Sequence, residues 1–158
     1  MDFDEILPEL LVGSHPQKPR DVTWLNGRQA VTAVLSLQTD DDIARLGVDW
    51  PAMVSRYQSG GMAIERVPIT DFDAAALRAN LEPAVSALDA LLSARARVYL
   101  HCTLGVGRAP SVAIAYLTWI RGWRLDQAWR HVRERRECSP SFEAIWLANR
   151  DRARRAGP

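Results

Sequence analysis

Cys102 and Arg108 stand six residues apart in the sequence, with two glycines between them. A short apolar run over 97–100 precedes this stretch and is predicted to be a buried strand. An almost wholly apolar run over 109–120 follows it and is predicted to be a buried helix. Backbone N–H groups converge in such a strand-to-helix turn, and the helix N-terminus adds partial positive charge. The sequence therefore predicts an anion-binding turn with a thiol inside it.

The residue types in this turn could carry out nucleophilic attack on a bound phosphate group. The positive field favours the thiolate form of Cys102, which is the nucleophile, and the planar guanidinium of Arg108 could bind two phosphate oxygens. A buried structural cysteine is the alternative, but the strand-turn-helix context and the placed arginine argue against it. The predicted phosphate-binding loop comprises Thr103, Leu104, Gly105, Val106, Gly107 and Arg108.

Hydrolysis of a phosphate ester also requires a proton for the leaving oxygen, which a carboxylic acid on a nearby loop could supply. Asp71 and Asp73 are the candidates, because they lie in an irregular segment directly after a predicted strand. Either residue could instead cap the helix that follows. The residues alone do not decide between the two roles.

Strands alternate with helices along the chain, which predicts an α/β domain around a central, mainly parallel sheet. Apolar runs predict strands at 6–12, 31–37, 62–69 and 97–100. Apolar residues at helical spacing predict helices at 20–28, from about 43, at 50–57, from 81, at 109–120, around 125–132 and from 139–140. The segment 70–80 is predicted to be a loop, with Pro83 in the first turn of the next helix.

Two groups of residues allow a functional or a structural interpretation. The acidic run 40–42 could bind a metal ion, but acidic residues at a helix start favour the helix dipole, and we predict that capping role. The tryptophans could stack on sugars or fill the core. Trp119, Trp129 and Trp146 fall on apolar helical stripes and are predicted to lie in the core. No metal ion and no cofactor is expected.

Composition predicts one folded domain. The chain has 158 residues, of which 47% are apolar and 25% are charged, as in globular proteins. The domain is expected to span 1–158, with a core over about 6–150 and a basic, frayed tail over 151–158. The net charge of +1 gives no reason to expect a nucleic-acid partner.

Cysteine content and hydropathy bear on the location of the protein. The two cysteines, Cys102 and Cys138, do not form a disulfide framework, and a required thiolate suggests a reducing compartment. No stretch of the sequence is long enough to span a membrane, and the N-terminus lacks a signal-peptide pattern. A cytoplasmic protein with no membrane partner is therefore expected, and a monomer is favoured.

The stretch from His101 to Arg108 is similar to the signature of the cysteine-dependent phosphatases: His-Cys, five residues, then Arg. From about residue 7 to 149 the chain resembles the dual-specificity phosphatases. Within that group it is similar to the glucan phosphatases, which are the plant starch-excess enzymes and, more distantly, laforin. The segments that carry this resemblance are 13–17, 34–38, 47–49, 71–74, 107–110 and 138–145.

The resemblance implies a single-domain cysteine-phosphatase fold and a role for each matching residue. Cys102 would be the nucleophile, Arg108 the phosphate clamp and Asp71 the general acid. Phe72 matches an aromatic residue that packs on the glucan. The implied reaction has two steps and a phosphocysteine intermediate, and it needs no metal ion.

Further positions either support or depart from this pattern. His101 would set the surroundings of Cys102 while hydrogen-bonding the loop, and Asp73 would be a supporting residue. Leu104 stands where these enzymes usually have alanine. Ala109 replaces the Ser or Thr of generic members, as in the plant glucan enzymes. Ser36 stands where a plant relative has a cysteine, so redox control through that pair is not expected.

Three functions are compatible with these residues. The first is a phosphatase that acts on phosphorylated glucan, and the second is a protein phosphatase that acts on phosphotyrosine and phosphoserine or phosphothreonine. The family resemblance favours the glucan. A phosphoinositide is disfavoured, because Thr103, Leu104 and Val106 add no basic group to the loop. The third, a non-catalytic binding module, is disfavoured by the presence of all three catalytic residue types.

Overall fold

The computed structural model describes residues 1–94 and 96–157. Its strands are β1 (Phe3–Leu7), β2 (Leu10–Gly13), β3 (Ala33–Ser36), β4 (Ala63–Arg66) and β5 (Val98–His101). Its helices are α1 (Pro19–Gln29), α2 (Asp40–Arg45), α3 (Trp50–Ser59), α4 (Ala74–Ser93), α5 (Arg108–Trp119), α6 (Leu125–Arg135) and α7 (Phe142–Ala156). Within these described ranges, no helix is both long and apolar enough to cross a membrane.

The strands form one sheet in the order β1-β2-β5-β3-β4. β1 and β2 are antiparallel, whereas the other neighbouring strands are parallel. The register places Gly13, His101 and Ser36 side by side at the carboxyl ends of β2, β5 and β3. This sheet confirms the predicted α/β fold with a mainly parallel sheet. The segments that leave these three strands therefore meet at one edge.

Different helices cover the two faces of the sheet. In β5, Val98 and Leu100 pack in the cluster that contains α4, α5, α6 and α7, whereas Tyr99 packs with α1 and α3. The alternation follows from the strand geometry, in which successive side chains point to opposite faces. The predicted buried helix is found as α5, whose residues from Arg108 to Leu117 are all buried. The helix after the predicted phosphate loop is thus fixed in the core.

The first predicted strand consists of two strands. β1 ends at Leu7, Pro8 and Glu9 form a turn, and β2 begins at Leu10, so the prediction of one strand over 6–12 is wrong. Proline has no N–H group for a sheet and is favoured in turns. The apolar residues on both sides of this short turn read as one continuous run.

The helix predicted from residue 81 begins earlier, at Ala74. Asp73 caps it, because its Oδ1 accepts a hydrogen bond of 2.8 Å from Ala76 N. The loop predicted over 74–80 is therefore wrong, and Pro83 lies inside the helix, where it removes one backbone hydrogen bond. The alanines of the first turn favour a helix, and a buried face that begins at Leu77 stabilises it.

The last helix begins and ends later than predicted. It begins at Phe142, because Ser141 caps it by accepting a hydrogen bond of 3.3 Å from a backbone N–H of the first turn. It continues to Ala156, so the predicted frayed tail is wrong over these residues. Asp151 accepts two hydrogen bonds of 2.7 Å from Arg78 of α4 and fastens this end of the helix.

Two of the three tryptophans assigned to the core are found there. Trp119 and Trp129 are partly buried and pack against the core. Trp146 is 44% exposed, and the guanidinium of Arg150 lies over its ring at 4.7 Å, so a core position is wrong for this residue. The residues that α7 buries instead are Ala144, Ile145 and Ala148.

Candidate active site

The loop from Cys102 to Gly107 joins the carboxyl end of β5 to α5. Cys102 is buried, and its Sγ accepts a hydrogen bond of 3.2 Å from Gly105 N. Gly105 has a φ of +69°, and a Cβ at this position would lie 2.3 Å from the carbonyl carbon of Gly13 on β2. This position therefore requires glycine. β2 therefore lies in close contact with the loop at this position.

The carbonyl oxygens of this loop are all bound by groups outside it. The oxygen of residue 102 accepts from His101 Nδ1, and that of residue 103 accepts from His15 N and Nδ1. The oxygens of residues 104 and 105 accept from Arg136 Nη2 and Nε, respectively. The oxygen of residue 106 accepts from Ser139 N, and that of residue 107 accepts from Ser111 N and Oγ. The C=O and N–H groups of a trans peptide point in opposite directions. The N–H groups of the loop therefore remain available to an anion at its centre.

Arg108 is buried, with its guanidinium between two carboxylates. Nη1 donates to Asp42 Oδ2 at 2.7 Å, and Nη2 donates to Asp71 Oδ2 at 2.9 Å. Nη1 also donates to Ile69 O at 2.8 Å, and Nη2 donates to Thr103 Oγ1 at 3.1 Å. Among the described residues, none accepts a hydrogen bond from Nε. The edge formed by Nε and Nη2 is thus the one that could bind two oxygens of a phosphate group.

Asp42 is a site residue that sequence reasoning assigned only to helix capping. It does cap α2, because its Oδ2 accepts a hydrogen bond of 3.1 Å from Thr39 N. Burial is the largest single influence and opposes ionisation of this carboxyl. The hydrogen bonds from Arg108 and Thr39 and the charge of Arg108 together outweigh burial and hold the pKa of Asp42 below its ordinary value. Asp42 therefore supplies a carboxylate to the buried arginine.

A signal for Asp42 was present in the sequence. A buried charge needs a compensating partner, and the acidic run 40–42 follows the strand that lies beside β5 in the sheet. To predict the contact between Asp42 and Arg108, one must know that β3 and β5 are neighbours, and the sequence does not predict the strand order.

The two candidate acids take different positions. Asp73 is the N-cap of α4, which is one of the two roles that sequence reasoning left open. Asp71 contacts Arg108, and its side chain is 28% exposed. Its Oδ1 also accepts a hydrogen bond of 3.1 Å from Phe72 N. Of the two carboxylates, Asp71 is the one that the structure places on Arg108.

A cavity of about 360 Å³ brings the three predicted catalytic residues together, whereas Thr103, Gly105 and His101 are not among its described lining residues. Phe72 lines it, is 100% exposed, and has a φ of +54°, which is uncommon for a residue with a side chain. Leu104 and Val106 line the cavity as well and are also exposed. The lining residues also include Asp71, Asp73, Cys102, Gly107 and Arg108. Arg108 is the one basic side chain among the described lining residues.

Outside this cavity, the described chain offers fewer of the residue types and groupings that catalysis or metal binding would need. A larger groove of about 880 Å³ lies between α4 and α7, but no Cys, Ser, Thr or His side chain of the described residues lines it. Within residues 1–94 and 96–157, no cluster of three or more His, Cys, Asp or Glu side chains could hold a metal ion.

His101 lies behind the loop and is buried. Its Nδ1 is 2.9 Å from Cys102 O, and because a carbonyl only accepts, Nδ1 carries the proton. Burial lowers the pKa of His101 to about 4, and the charges of His15 and Arg108 act in the same direction. The imidazole is therefore neutral at neutral pH and supports the loop by this hydrogen bond.

A family model described as "Dual specificity phosphatase, catalytic domain" matches residues 25–146. The chain belongs to the dual specificity phosphatase family. The matched range contains the phosphate loop, Arg108 and both of its carboxylate partners.

Relatives of this chain include two plant proteins and a human one. The chain is 36% identical to phosphoglucan phosphatase DSP4 of Castanea sativa, over 96% of this chain and 40% of that protein. It is 31% identical to phosphoglucan phosphatase LSF1 of Arabidopsis thaliana, over 96% of this chain and 25% of that protein. It is 30% identical to dual specificity protein phosphatase 2 of Homo sapiens, over 87% of this chain and 40% of that protein. The chain thus spans less than half the length of each of these relatives. The resemblance to dual-specificity and glucan phosphatases that was inferred from the sequence is confirmed.

The fold is similar to that of a solved phosphatase. The crystal structure of PTPMT1 superposes with a TM-score of 0.77 at 19% identity, over 99% of this chain and 100% of that one. At this level of identity the likeness shows the fold. The predicted cysteine-phosphatase fold is therefore confirmed.

Proposed function

We propose that the chain is a cysteine-dependent phosphatase that hydrolyses phosphate monoesters. One observation carries this proposal: Cys102, the Nε and Nη2 edge of Arg108 and the carboxyl of Asp71 meet at one cavity. A nucleophile, donors for the phosphoryl oxygens and a group that can transfer a proton are the three requirements of this reaction.

In the first step, the phosphate group binds the loop N–H groups and the Nε and Nη2 edge of Arg108, and it displaces Asp71 from Nη2. The Cys102 thiolate attacks phosphorus, and the bond between phosphorus and the ester oxygen breaks. Asp71, in its protonated form, transfers its proton to the departing oxygen. The products of this step are an alcohol and a phosphocysteine.

In the second step, the Asp71 carboxylate accepts a proton from water, and the water oxygen attacks phosphorus. The bond between phosphorus and sulfur breaks, which returns the Cys102 thiolate and releases inorganic phosphate. Arg108 and the loop N–H groups stabilise the charge of the phosphoryl group in both steps. The chain's own groups supply this stabilisation.

We propose a phosphorylated glucan, of the starch or glycogen type, as the substrate. The exposed Phe72 offers an apolar ring face at the cavity rim, on which a sugar ring can pack. Leu104 and Val106 add apolar surface without charge, which suits a neutral sugar with a single phosphate group. The names of the two plant relatives, which call them phosphoglucan phosphatases, favour the same substrate.

A protein phosphatase that acts on phosphotyrosine and phosphoserine or phosphothreonine is the second candidate. The name of the human relative, which calls it a dual specificity protein phosphatase, favours it. The phosphate loop itself contacts only the phosphate group and serves both substrates. The residues at the cavity rim must therefore decide between the two.

The test compares phosphate release from solubilised phosphorylated amylopectin, a panel of phosphopeptides and a small aryl phosphate, with Cys102→Ser as the blank. We expect turnover of the glucan, relative to the aryl phosphate, to exceed that of every peptide. Faster turnover of peptides would favour the protein phosphatase. No release from any substrate would contradict the phosphatase proposal itself and favour a binding module.

A pair of phenylalanine variants tests the role of the cavity rim. Phe72→Ala should lower kcat/KM on the glucan about 10-fold, as expected for loss of an aromatic contact of 1–2 kcal/mol, with little change on the aryl phosphate. Phe142→Ala is the control. Phe142 is also exposed, but it is not one of the described residues that line the cavity. Equal losses on both substrates would make Phe72 a wall of the cavity and not a glucan contact.

The same proposal covers the extent and location of the protein. We propose that 1–158 forms one phosphatase domain that works as a monomer in the cytoplasm. The full names of the two plant relatives, which include the words amyloplastic and chloroplastic, place those proteins in amyloplasts and chloroplasts. Sedimentation of the purified chain and imaging of a tagged chain in its own cells test these two points.

A further inference from the structure

Arg136 is a second buried arginine at the phosphate loop, and it follows the last residue of α6. Its Nε donates to Gly105 O at 2.6 Å, and its Nη2 donates to Leu104 O at 3.2 Å. Two successive carbonyl groups of the loop therefore depend on this one side chain. The charge of the guanidinium strengthens both hydrogen bonds.

These carbonyl groups determine where two N–H groups of the loop point. The peptide that contains Leu104 O also contains Gly105 N, which donates to Cys102 Sγ at 3.2 Å. The peptide that contains Gly105 O contains the N–H group of Val106 in the same way. Because each peptide is planar and trans, fixing its oxygen on Arg136 fixes its N–H group on the opposite side, which for Gly105 is the side of the sulfur.

Arg136 is itself held by the N-terminal strand. Nη1 donates to Asp4 Oδ2 at 2.8 Å, and Nη2 donates to Asp2 Oδ2 at 3.1 Å. Each of its three nitrogens thus has a protein acceptor. The two carboxylates compensate the buried charge. Four of the five N–H donors of the guanidinium are engaged in this way, and Arg136 is not among the described residues that line the cavity.

We propose that Arg136 is a positioning residue for phosphate ester hydrolysis, which holds the N–H groups of Gly105 and Val106 on the reacting phosphoryl group. This inference rests on the proposed phosphatase function. The residue acts from behind the loop, through backbone dipoles, and does not touch the substrate. Its loss allows the two peptides to rotate, so that two donors of the anion site are misplaced.

The experiment compares wild type with Arg136→Met and Arg136→Lys, and it measures kcat and KM on an aryl phosphate and the Kd of inorganic phosphate. We expect Arg136→Met to lower kcat about 10²-fold, the cost of removing one donor of an oxyanion site, and to weaken phosphate binding. Arg136→Lys keeps the charge and can reach one carbonyl, so we expect about a 10-fold loss.

Arg78→Met is the matched control. Arg78 also makes charged hydrogen bonds to a carboxylate, that of Asp151, but it makes no contact with the loop. We expect it to lower the melting temperature and to leave kcat and phosphate binding within twofold of wild type. All comparisons are made at a temperature at which each variant is folded, as judged by circular dichroism.

The outcomes separate the inference from the proposed function. Wild-type kcat and phosphate affinity in Arg136→Met, with only a lower melting temperature, would overturn the positioning role. If Arg136→Met does not fold, wild-type values in Arg136→Lys overturn it and reduced values support it. If wild type releases no phosphate from any ester, the proposed function fails. Weaker phosphate binding in the variants than in wild type would still support the loop-positioning role, and equal binding would overturn it.

Discussion

Arg108 and Arg136 are two buried arginines, at 2% and 3% exposure, that contact the same loop from different sides. Each also contacts two carboxylates. Arg108 retains a nitrogen without an acceptor among the described residues and shares another with Asp71, whereas Arg136 uses all three nitrogens on protein groups. Among the described residues, the first lines the cavity and keeps one nitrogen free, and the second uses every nitrogen on acceptors of the protein itself.

The difference shows that burial and ion pairing do not by themselves identify a ligand-binding arginine. Both side chains need carboxylates to offset the cost of burying a charge. What separates them is the part of the loop that each one meets. Arg108 lines the cavity on the side of the sulfur, and Arg136 binds the carbonyl groups on the outer side. In the proposed mechanism, the same residue type thus binds the substrate at one position and orients the binding groups at the other.

Parallel lysine variants give the largest expected contrast. Arg108→Lys should lower kcat on an aryl phosphate about 10³-fold, because an ammonium group cannot bind two phosphoryl oxygens in a planar fork. Arg136→Lys should lower it only about 10-fold, as proposed above. Equal losses in steady-state kinetics would remove the distinction between the two arginines.

Asp71→Asn should have the next largest effect. Removing the proton donor should lower kcat on a sugar phosphate about 10²-fold, with a smaller loss on an aryl phosphate, whose leaving oxygen needs less protonation. Inorganic phosphate should bind more tightly, because a neutral amide competes less well for Arg108 Nη2. Asp73→Asn keeps a good helix cap and should stay near wild type. A larger loss in Asp73→Asn would transfer the acid role to that residue.

Asp42→Asn should show how much the buried ion pair between Asp42 and Arg108 contributes to stability and to activity. Breaking a buried ion pair leaves a charge poorly compensated and should cost about 3 kcal/mol of unfolding free energy. We expect kcat to fall about 10-fold, because Arg108 is held less firmly. Urea denaturation measures the first effect. Asp41→Asn is the control, because this neighbour is exposed, and a loss of stability as large as that of Asp42→Asn would contradict the ion-pair explanation.

Acid should act on the loop through His101 and Asp42. Burial lowers the pKa of His101 from 6.5 to about 4. Between these values the unfolded chain binds a proton that the folded chain does not, so the free energy of unfolding falls as pH decreases. The expected loss from pH 6.5 to 4 is about 3 kcal/mol. Asp42, whose pKa is lowered, adds a further loss at still lower pH.

Denaturation at several pH values checks this dependence. His101→Asn keeps a donor for Cys102 O and removes the titrating group, so its profile should be flatter than that of wild type. A wild-type profile that is flat between pH 6.5 and 4.5 would contradict the assignment to His101.

The sequence predicted those parts of the site whose residues lie close together along the chain. Cys102, the glycines and Arg108 lie within seven consecutive positions, and the strand and helix around them have strong apolar patterns. Asp71 and Asp73 were found as candidates, but the choice between acid and cap depended on where α4 begins. The alanine run after Asp73 and the proline inside the helix concealed that start.

Asp42, Arg136 and His15 could not be assigned to the loop from the sequence, because each reaches it through the topology of the sheet. Asp42 depends on β3 lying beside β5. Arg136 depends on the N-terminal hairpin, which the apolar run over 6–12 concealed. His15 follows β2, which lies on the other side of β5. Residues that orient a loop from behind carry no spacing signal of their own.

The contacts of Arg136 with Asp2 and Asp4 span 134 and 132 residues of the chain. The segment around β1 therefore supports the phosphate loop through a residue that lies far along the chain. A truncation that removes residues 1–4 would take away both carboxylates and leave the buried charge of Arg136 uncompensated.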